Sequence, residues 1–410
     1  MMDNGDTMEF KTSIQGETGL PRYFGPVFET ALKMDHGRLD MRLPDGRVFR
    51  AEGSNPGPAA QLDIHNPDIF GRLIREGDLG FCEAYLDGWW STPDLQAFMD
   101  LVHADNEEIY DGFLGMPIIR AYERLRFRLQ SNSKRQARKN ISHHYDLGNE
   151  FYGLWLDDTM TYSSALFETG QEPTELAQTQ KYASMVDQMG AKPGDHVLEI
   201  GCGWGGFAEL AIRKTGCRVT GLTLSTEQAK FARARLEKAG FADRVDIRLE
   251  DYRDCSGHFD KIVSIEMFEA VGEENWPVYF EAVHKRLVPG GKALIQTITI
   301  DESRFDYYRG SADFIQTYIF PGGMLPSVTV FEHAAMAAGL EIGDRFRFGR
   351  DYDRTLLAWD SAFTANWQKI EPLGFDRRFY RMWRLYLHYC AVGFRFGRID
   401  VVQFRLDKPA

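Results

Sequence analysis

Val197-Leu-Glu-Ile-Gly-Cys-Gly-Trp-Gly-Gly206 reads as a buried strand running into a glycine turn, and Gly206-Phe-Ala-Glu-Leu-Ala-Ile-Arg-Lys-Thr-Gly216 behind it reads as a helix. Gly201 and Gly203 permit a tight turn and a close approach of backbone to a ligand, which a Cβ would block. The start of the following helix presents free N–H groups to a bound molecule. The same rhythm continues outward. CRVTGLTLS is a second strand, and the next helix has Ser225 as its N-terminal cap and Gly240 at its end. VDIRLEDY, FDKIVSIEMF and KALIQTITI supply three more strands, with the helix NWPVYFEAVHKRLVPGG before the last. This alternation predicts a mostly parallel sheet with helices on both faces.

Gly201, Gly203 and Gly206 satisfy the spacing GxGxxG, so a dinucleotide is the first ligand to consider. Two details oppose it. Glu199 stands in the strand two residues before the first glycine, where it would repel a pyrophosphate but could face an ammonium group. An NAD site also wants an acid about 20 residues on. The chain instead reads Gly221-Leu-Thr-Leu-Ser225 there. S-adenosylmethionine, with a sulfonium and an amino-acid tail, meets both conditions.

The chain has 410 residues, enough for two domains, and its 43% hydrophobic and 26% charged residues describe a globular protein with a full core. The five cysteines, Cys82, Cys202, Cys217, Cys255 and Cys390, have no CxxC spacing, which argues against a zinc site and for a reducing cytoplasm. The start, MMDNGDTMEFK, lacks the pattern of a secretory signal, and no run reaches the length of a transmembrane helix. A net charge of −12 argues against nucleic acid as a partner. Between Ile118 and Asn140, however, eight Arg/Lys stand against the single acid Glu123, interleaved with Tyr122, Leu125, Phe127 and Leu129. Such a basic amphipathic segment suits an anionic membrane surface, and equally a solvated linker helix. The expected organisation is a tail over residues 1–23, a small mixed α/β domain over 24–116, the basic linker over 117–140 and the catalytic domain over 141–410.

Several further blocks accompany LEIGCGWGG: His144-Tyr-Asp-Leu-Gly-Asn149, Met160-Thr-Tyr-Ser163, GLTLSTEQ, EDYRD, FDKIVSIEMFEAVG, Tyr318-Ile-Phe-Pro-Gly322 and Asp351-Tyr-Asp-Arg-Thr-Leu356. On these blocks, from about Ile141 to the C-terminus, the chain resembles the cyclopropane fatty acid synthases and mycolic acid methyltransferases. The resemblance implies a class I methyltransferase fold, Rossmann-like, with S-adenosylmethionine as methyl donor. It implies methionine-part contacts from Tyr162 and Ser163 over a floor of Gly201 and Gly203. Thr223, Leu224 and Gln228 would meet the ribose, and Asp251 and Tyr252 the adenine. Glu199 completes the set from the reading above.

The implied reaction is attack of a cis alkene on the donor methyl group, within an unsaturated phospholipid acyl chain. An aromatic-lined site suits the developing cation, and the chain is 13% aromatic. The resemblance also implies bicarbonate as the base that then removes a proton, held by Glu269, Tyr352 and the main chain of Ile298. This chain departs at three positions. Ser164 stands where many members have Cys, Ala270 replaces the His of FEHVG, and Gln296 replaces the His of LLHTI. Gln can hydrogen-bond an anion but carries no proton at neutral pH. The product is therefore expected to be either a cyclopropane or a methyl- or methylene-branched chain. The enzyme would sit in the cytoplasm, peripheral to the inner face of the membrane, and a homodimer is left open. Two other classes compete: a methyltransferase of small amines, and a non-catalytic protein that binds S-adenosylmethionine or lipid. The His143-His144 pair lacks further ligands at sensible spacing, so no metal is expected.

Overall fold

The computed structural model describes residues 9–104, 147–310 and 312–410. Two compact units emerge, one of them made of residues 1–123 and 375–392 and the other of residues 124–374 and 393–410. The basic segment 118–140 and the His143-His144 pair lie outside the described residues.

In the first unit, β1 (Phe10–Lys11), β2 (His36–Arg42), β3 (Val48–Glu52), β4 (Asn55–Ile64) and β5 (Trp90–Ser91) form one sheet in the order β1-β3-β2-β4-β5. The Pro-Asp-Gly turn joins β2 to β3 as an antiparallel hairpin, with Gly46 at φ 91°. Helices α1 (Phe24–Ala31), α2 (Ile69–Leu86) and α3 (Leu95–Ala104) complete the N-terminal part. Residues 9–23, expected as tail, instead carry β1 and an ion-paired turn. Glu17 accepts from both Lys11 (2.6 Å) and Arg47 (2.9 Å), and β1 pairs with β3. Phe24, Phe28, Phe49 and Phe70 build the aromatic core, Phe24 lying 4.8–5.6 Å from the other three ring centres. Residues 375–392, assigned from sequence to the catalytic domain, pack into this unit. Arg381 donates to the carbonyls of Tyr85 (3.0 Å) and Trp90 (3.1 Å), and His388 bonds to Gln96 (2.7 Å). These bonds give this arginine-rich helix a packing role.

The second unit holds a seven-stranded sheet. Its strands are β6 (His196–Ile200), β7 (Arg218–Thr223), β8 (Val245–Leu249), β9 (Phe259–Ile265), β10 (Leu287–Ile300), β11 (Glu341–Arg347) and β12 (Ile399–Asp407), in the order β11-β12-β10-β9-β6-β7-β8. The five strands expected from sequence are mutually parallel. The sequence reading missed β11 and β12 at one edge, where β12 pairs antiparallel with both β10 and β11. Consecutive residues of the central strands enter opposite cores. Leu198, Ile262 and Ala293 pack on the side of Phe268, Tyr279 and Phe331, whereas Val197, Val263 and Leu294 pack with Met185, Phe207 and Ile212. Burial on both faces is why these strands read as nearly continuous apolar runs.

Helices α4 (Asn149–Gly153), α5 (Thr174–Met189), α6 (Gly206–Thr215), α7 (Thr226–Lys238), α8 (Trp276–Arg286), α9 (Phe305–Arg309), α10 (Val328–Ala337) and α11 (Gly349–Ala365) surround the sheet. Ser225 caps α7 by accepting from the N–H of Gln228 at 3.3 Å, as its position implies. The parallel strands β6, β7, β8 and β9 all end on one side, where ligands of such sheets bind.

Candidate active site

A cavity opens where those strands end. All ten positions assigned to the methyl donor line it: Tyr162, Ser163, Glu199, Gly201, Gly203, Thr223, Leu224, Gln228, Asp251 and Tyr252. The floor is backbone. The N–H groups of Gly201 (3.0 Å) and Cys202 (2.8 Å) both donate to the Leu222 carbonyl and hold the turn against β7. Gly203 has φ 50°, and a Cβ built on it meets nothing within 4 Å, so any side chain there would stand in open space.

Glu199 is 3% exposed, and its Oε2 has no hydrogen-bond partner. Burial pushes its carboxyl well above the usual range, opposed by the charges of Lys181 and Arg235. A buried, unpartnered carboxylate oxygen in a cavity wall costs free energy until a donor arrives. An ammonium group supplies that donor, so the residues present fit the amino-acid end of S-adenosylmethionine. On the next strand Thr223 donates to Gln228 at 2.8 Å. Asp251 is clamped by Arg253 through two bonds of 2.7 and 2.8 Å, and the Tyr252 ring packs edge-on against Tyr279 at 5.3 Å.

The segment carrying Tyr162, Ser163 and Ser164 is fixed from two sides. From α5, Gln178 donates to the Ser163 carbonyl (2.8 Å) and Lys181 to the Ser163 hydroxyl (2.5 Å). On α11, Thr355 accepts from the N–H of Ala165 (3.1 Å) and Asp351 from that of Phe167 (3.0 Å). Lys181 is wholly buried, and burial lowers its ammonium to about 7, against the raising charges of Glu266, Asp157 and Glu199. Sequence reasoning missed Lys181, because a lysine in an amphipathic helix gives no signal of its burial.

None of the five residues assigned to catalysis lines that cavity. Three of them converge on Glu266, a residue that sequence reasoning also missed. The Ser164 N–H donates to Glu266 Oε1 at 2.8 Å, Gln296 Nε2 donates to the same oxygen at 2.7 Å, and Tyr352 adds a side-chain bond. Ser164 takes part through its main chain, since its hydroxyl donates to the Ala165 carbonyl at 3.0 Å. Ile298 donates its N–H to Glu269 Oε1 at 2.5 Å, while Glu269 Oε2 is buried with no partner. Burial first, and the Glu266 charge second, push the Glu269 carboxyl up to about 8. Glu266 is raised by burial, an effect opposed chiefly by Lys181.

Glu266 lines the cavity and Glu269 does not. Glu266 also has φ 50°, one of three non-glycine residues with positive φ among the described residues, and Met160 on the same cavity wall is another. That conformation costs about 1–2 kcal/mol for a residue with a Cβ. The available signal was the pair Glu266-Met-Phe-Glu269, two acids three apart at the end of a parallel strand. Behind Gln296, a row of buried amides fixes its orientation. Gln403 lies directly across from it on β12 and donates to Gln296 Oε1 at 2.9 Å, and Gln188 donates to Gln403 Oε1 at 2.6 Å.

Of the groups expected to hold an external bicarbonate, Tyr352 engages Glu266 and the Ile298 N–H engages Glu269, whose Oε2 is left without a partner. Among the described residues no group of His, Cys, Asp and Glu is arranged to hold a metal.

Residues 132–404 match the family described as Mycolic acid cyclopropane synthetase. The chain is 41% identical to tuberculostearic acid methyltransferase UfaA1 of Mycobacterium tuberculosis (strain ATCC 25618 / H37Rv), with 87% of this chain and 85% of that protein covered. It is 37% identical to cyclopropane-fatty-acyl-phospholipid synthase of Escherichia coli (strain K12), with 89% and 94% covered. Among solved structures it superposes on mycolic acid cyclopropane synthase CmaA1 complexed with SAH and CTAB, with a TM-score of 0.63 at 34% identity, covering 66% of this chain and 98% of that one. Methyltransferases of amines at 17–18% identity share the fold alone. The glycine turn, the strand order and these full-length likenesses agree: the chain belongs to the mycolic acid cyclopropane synthetase family.

Proposed function

We propose that this protein is a C-methyltransferase that moves the methyl group of S-adenosylmethionine onto the double bond of an unsaturated phospholipid acyl chain. The observation that carries this reading is the cavity in which Glu199 Oε2 lacks a partner beside the glycine turn. The bound donor supplies an electrophilic methyl group on sulfur. Glu199 receives its ammonium, and Gly201 and Gly203 leave the space that its chain fills. Thr223 and Gln228 form a preset hydrogen-bonding pair for the ribose, and Tyr252 offers a ring face for the adenine. Tyr162 lines the same cavity and leans on Trp359 and Tyr152, with ring centres 5.2 and 5.6 Å away. That aromatic wall suits a positive charge developing in a site shielded from water.

The acyl-lipid substrate is supported by relatives named for a phospholipid cyclopropane synthase and for tuberculostearic acid methylation. The product is a cyclopropane or a methyl- or methylene-branched chain. No helix among the described residues is long and apolar enough to cross a membrane. We place the protein on the cytoplasmic face of an anionic membrane, held reversibly through the basic segment 118–140.

The experiment is mass spectrometry of acyl chains after incubation with methyl-labelled S-adenosylmethionine and anionic vesicles of unsaturated phospholipid. Label in the acyl chains supports the proposal. Label found only in small amines, with lipids unmarked, would replace it by the amine reading. Vesicle co-sedimentation in the same samples should weaken as salt is added, because each cation near the surface contributes about 1 kcal/mol, screened by ions.

A further inference from the structure

We propose that Glu266 is the built-in proton acceptor of this enzyme and takes the place of a free anion as base; the inference rests on the acyl-chain reading above. Three observations lead to it. Glu266 is the carboxylate of the acid pair that lines the donor cavity, whereas Glu269 sits behind it with Oε1 tied to the Ile298 N–H. Its carboxylate is held by three donors from three distant segments, Ser164 N–H, Gln296 Nε2 and Tyr352. Its backbone adopts φ 50°, a conformation kept only where the surroundings impose it.

The chemistry balances without a co-reactant. The alkene π pair forms the bond to the methyl carbon, and the carbon–sulfur pair leaves with sulfur. A cation remains on the acyl chain. A C–H bond then breaks, its proton goes to the Glu266 carboxylate, and its electron pair closes the third bond of a ring. After a 1,2-hydride shift, the same loss instead gives a methylene double bond. A carboxylate fixed by three hydrogen bonds is already oriented when the cation forms, so no ion need be recruited. Gln296 serves as a positioning residue. Its carbonyl is occupied by Gln403, which leaves its NH2 to point at Glu266.

The test uses the full chain, with S-adenosylmethionine and vesicles of unsaturated phospholipid for turnover and with S-adenosylhomocysteine bound for the bicarbonate titration. In buffer stripped of carbon dioxide, wild type should keep at least about half of its turnover. Isotopically labelled bicarbonate should show no saturable binding to wild type by NMR. Glu266→Gln should lose roughly 100-fold or more of turnover while still binding S-adenosylhomocysteine. Glu266→Ala frees the three donors, so it should bind bicarbonate and regain activity with bicarbonate or formate. Collapse of wild-type turnover without carbon dioxide, saturable bicarbonate binding to wild type, or near-normal turnover of Glu266→Gln would each overturn the proposal. The wild-type measurements stand even if a variant folds poorly. The bicarbonate titration needs no turnover, so it remains decisive if labelled lipid never forms and the acyl-chain reading itself fails.

Discussion

The two ends of the active cavity are built in opposite ways. At the glycine end, Glu199 Oε2 lacks a partner and Gly203 faces open space. At the acid end, Ser164, Gln296, Tyr352 and Gln403 form a closed set around Glu266. The first end is incomplete without a ligand, and it marks where one belongs. The second holds the Glu266 carboxylate through Ser164, Gln296 and Tyr352, with Glu269 Oε2 left unpartnered beside it. Unsatisfied polarity points to binding, and satisfied polarity in a strained setting points to preorganisation.

The sharpest way to break this contrast is Gly203→Val. Its Cβ would stand in the cavity at a backbone φ of 50° that strains a β-branched residue, so calorimetry should show S-adenosylhomocysteine binding abolished, with a thermal melt to confirm that the variant is folded. Retained binding would mean the ligand lies elsewhere. Glu199→Ala should weaken the same binding by roughly 10- to 100-fold, the range for loss of a hydrogen bond to a charged group. An unchanged affinity would show that Glu199 does not meet the ammonium.

At the acid end, Gln403→Leu should leave S-adenosylhomocysteine affinity alone but cost about 1–3 kcal/mol of stability in urea titration. It strands the Gln296 carbonyl and removes the acceptor of Gln188. A neutral result would mean that the amide row does not hold Gln296. A further effect concerns pH. Glu269 rises from an unfolded value near 4.5 to about 8 in the fold, through burial and the Glu266 charge. Its contribution to stability is therefore fully present below about 4.5 and is lost as pH climbs through about 8. Lys181, lowered to about 7 by burial, works in the other sense, losing its contribution as pH falls through that value. The Tm of Glu269→Gln, followed by calorimetry from acid to pH 8, should fall less than that of wild type. Parallel profiles would place Glu269 in a wetter setting than its unpartnered oxygen implies.

The parallel strands, their helices and the ten cavity-lining positions were legible because each is written in contiguous residues. Val197–Gly206 contains its strand, turn and helix start in ten positions, and the sheet rule then places Thr223 and Asp251 beside them. Expectation parted from structure where contacts span the chain. β12 has only Val401-Val-Gln-Phe404 at its centre, flanked by Asp400 and Arg405, too short an apolar run to announce an antiparallel strand between two others. Residues 375–392 carry a helical pattern, yet the sequence does not say which core receives it. Glu269 was the acid that the family pattern singled out, and Glu266 is the one that reaches the cavity.

The sequence by itself determined the mostly parallel sheet, the glycine turn and a set of residues that line one cavity. Local backbone geometry dictates these, and local geometry follows from neighbouring residues. Only the tertiary structure decided which acid of the pair lines the cavity and which donors hold it. Ser164, Glu266, Gln296, Tyr352 and Gln403 come from five separate stretches. Their hydrogen bonds exist only once the packed sheet and α11 bring them within about 3 Å of one another.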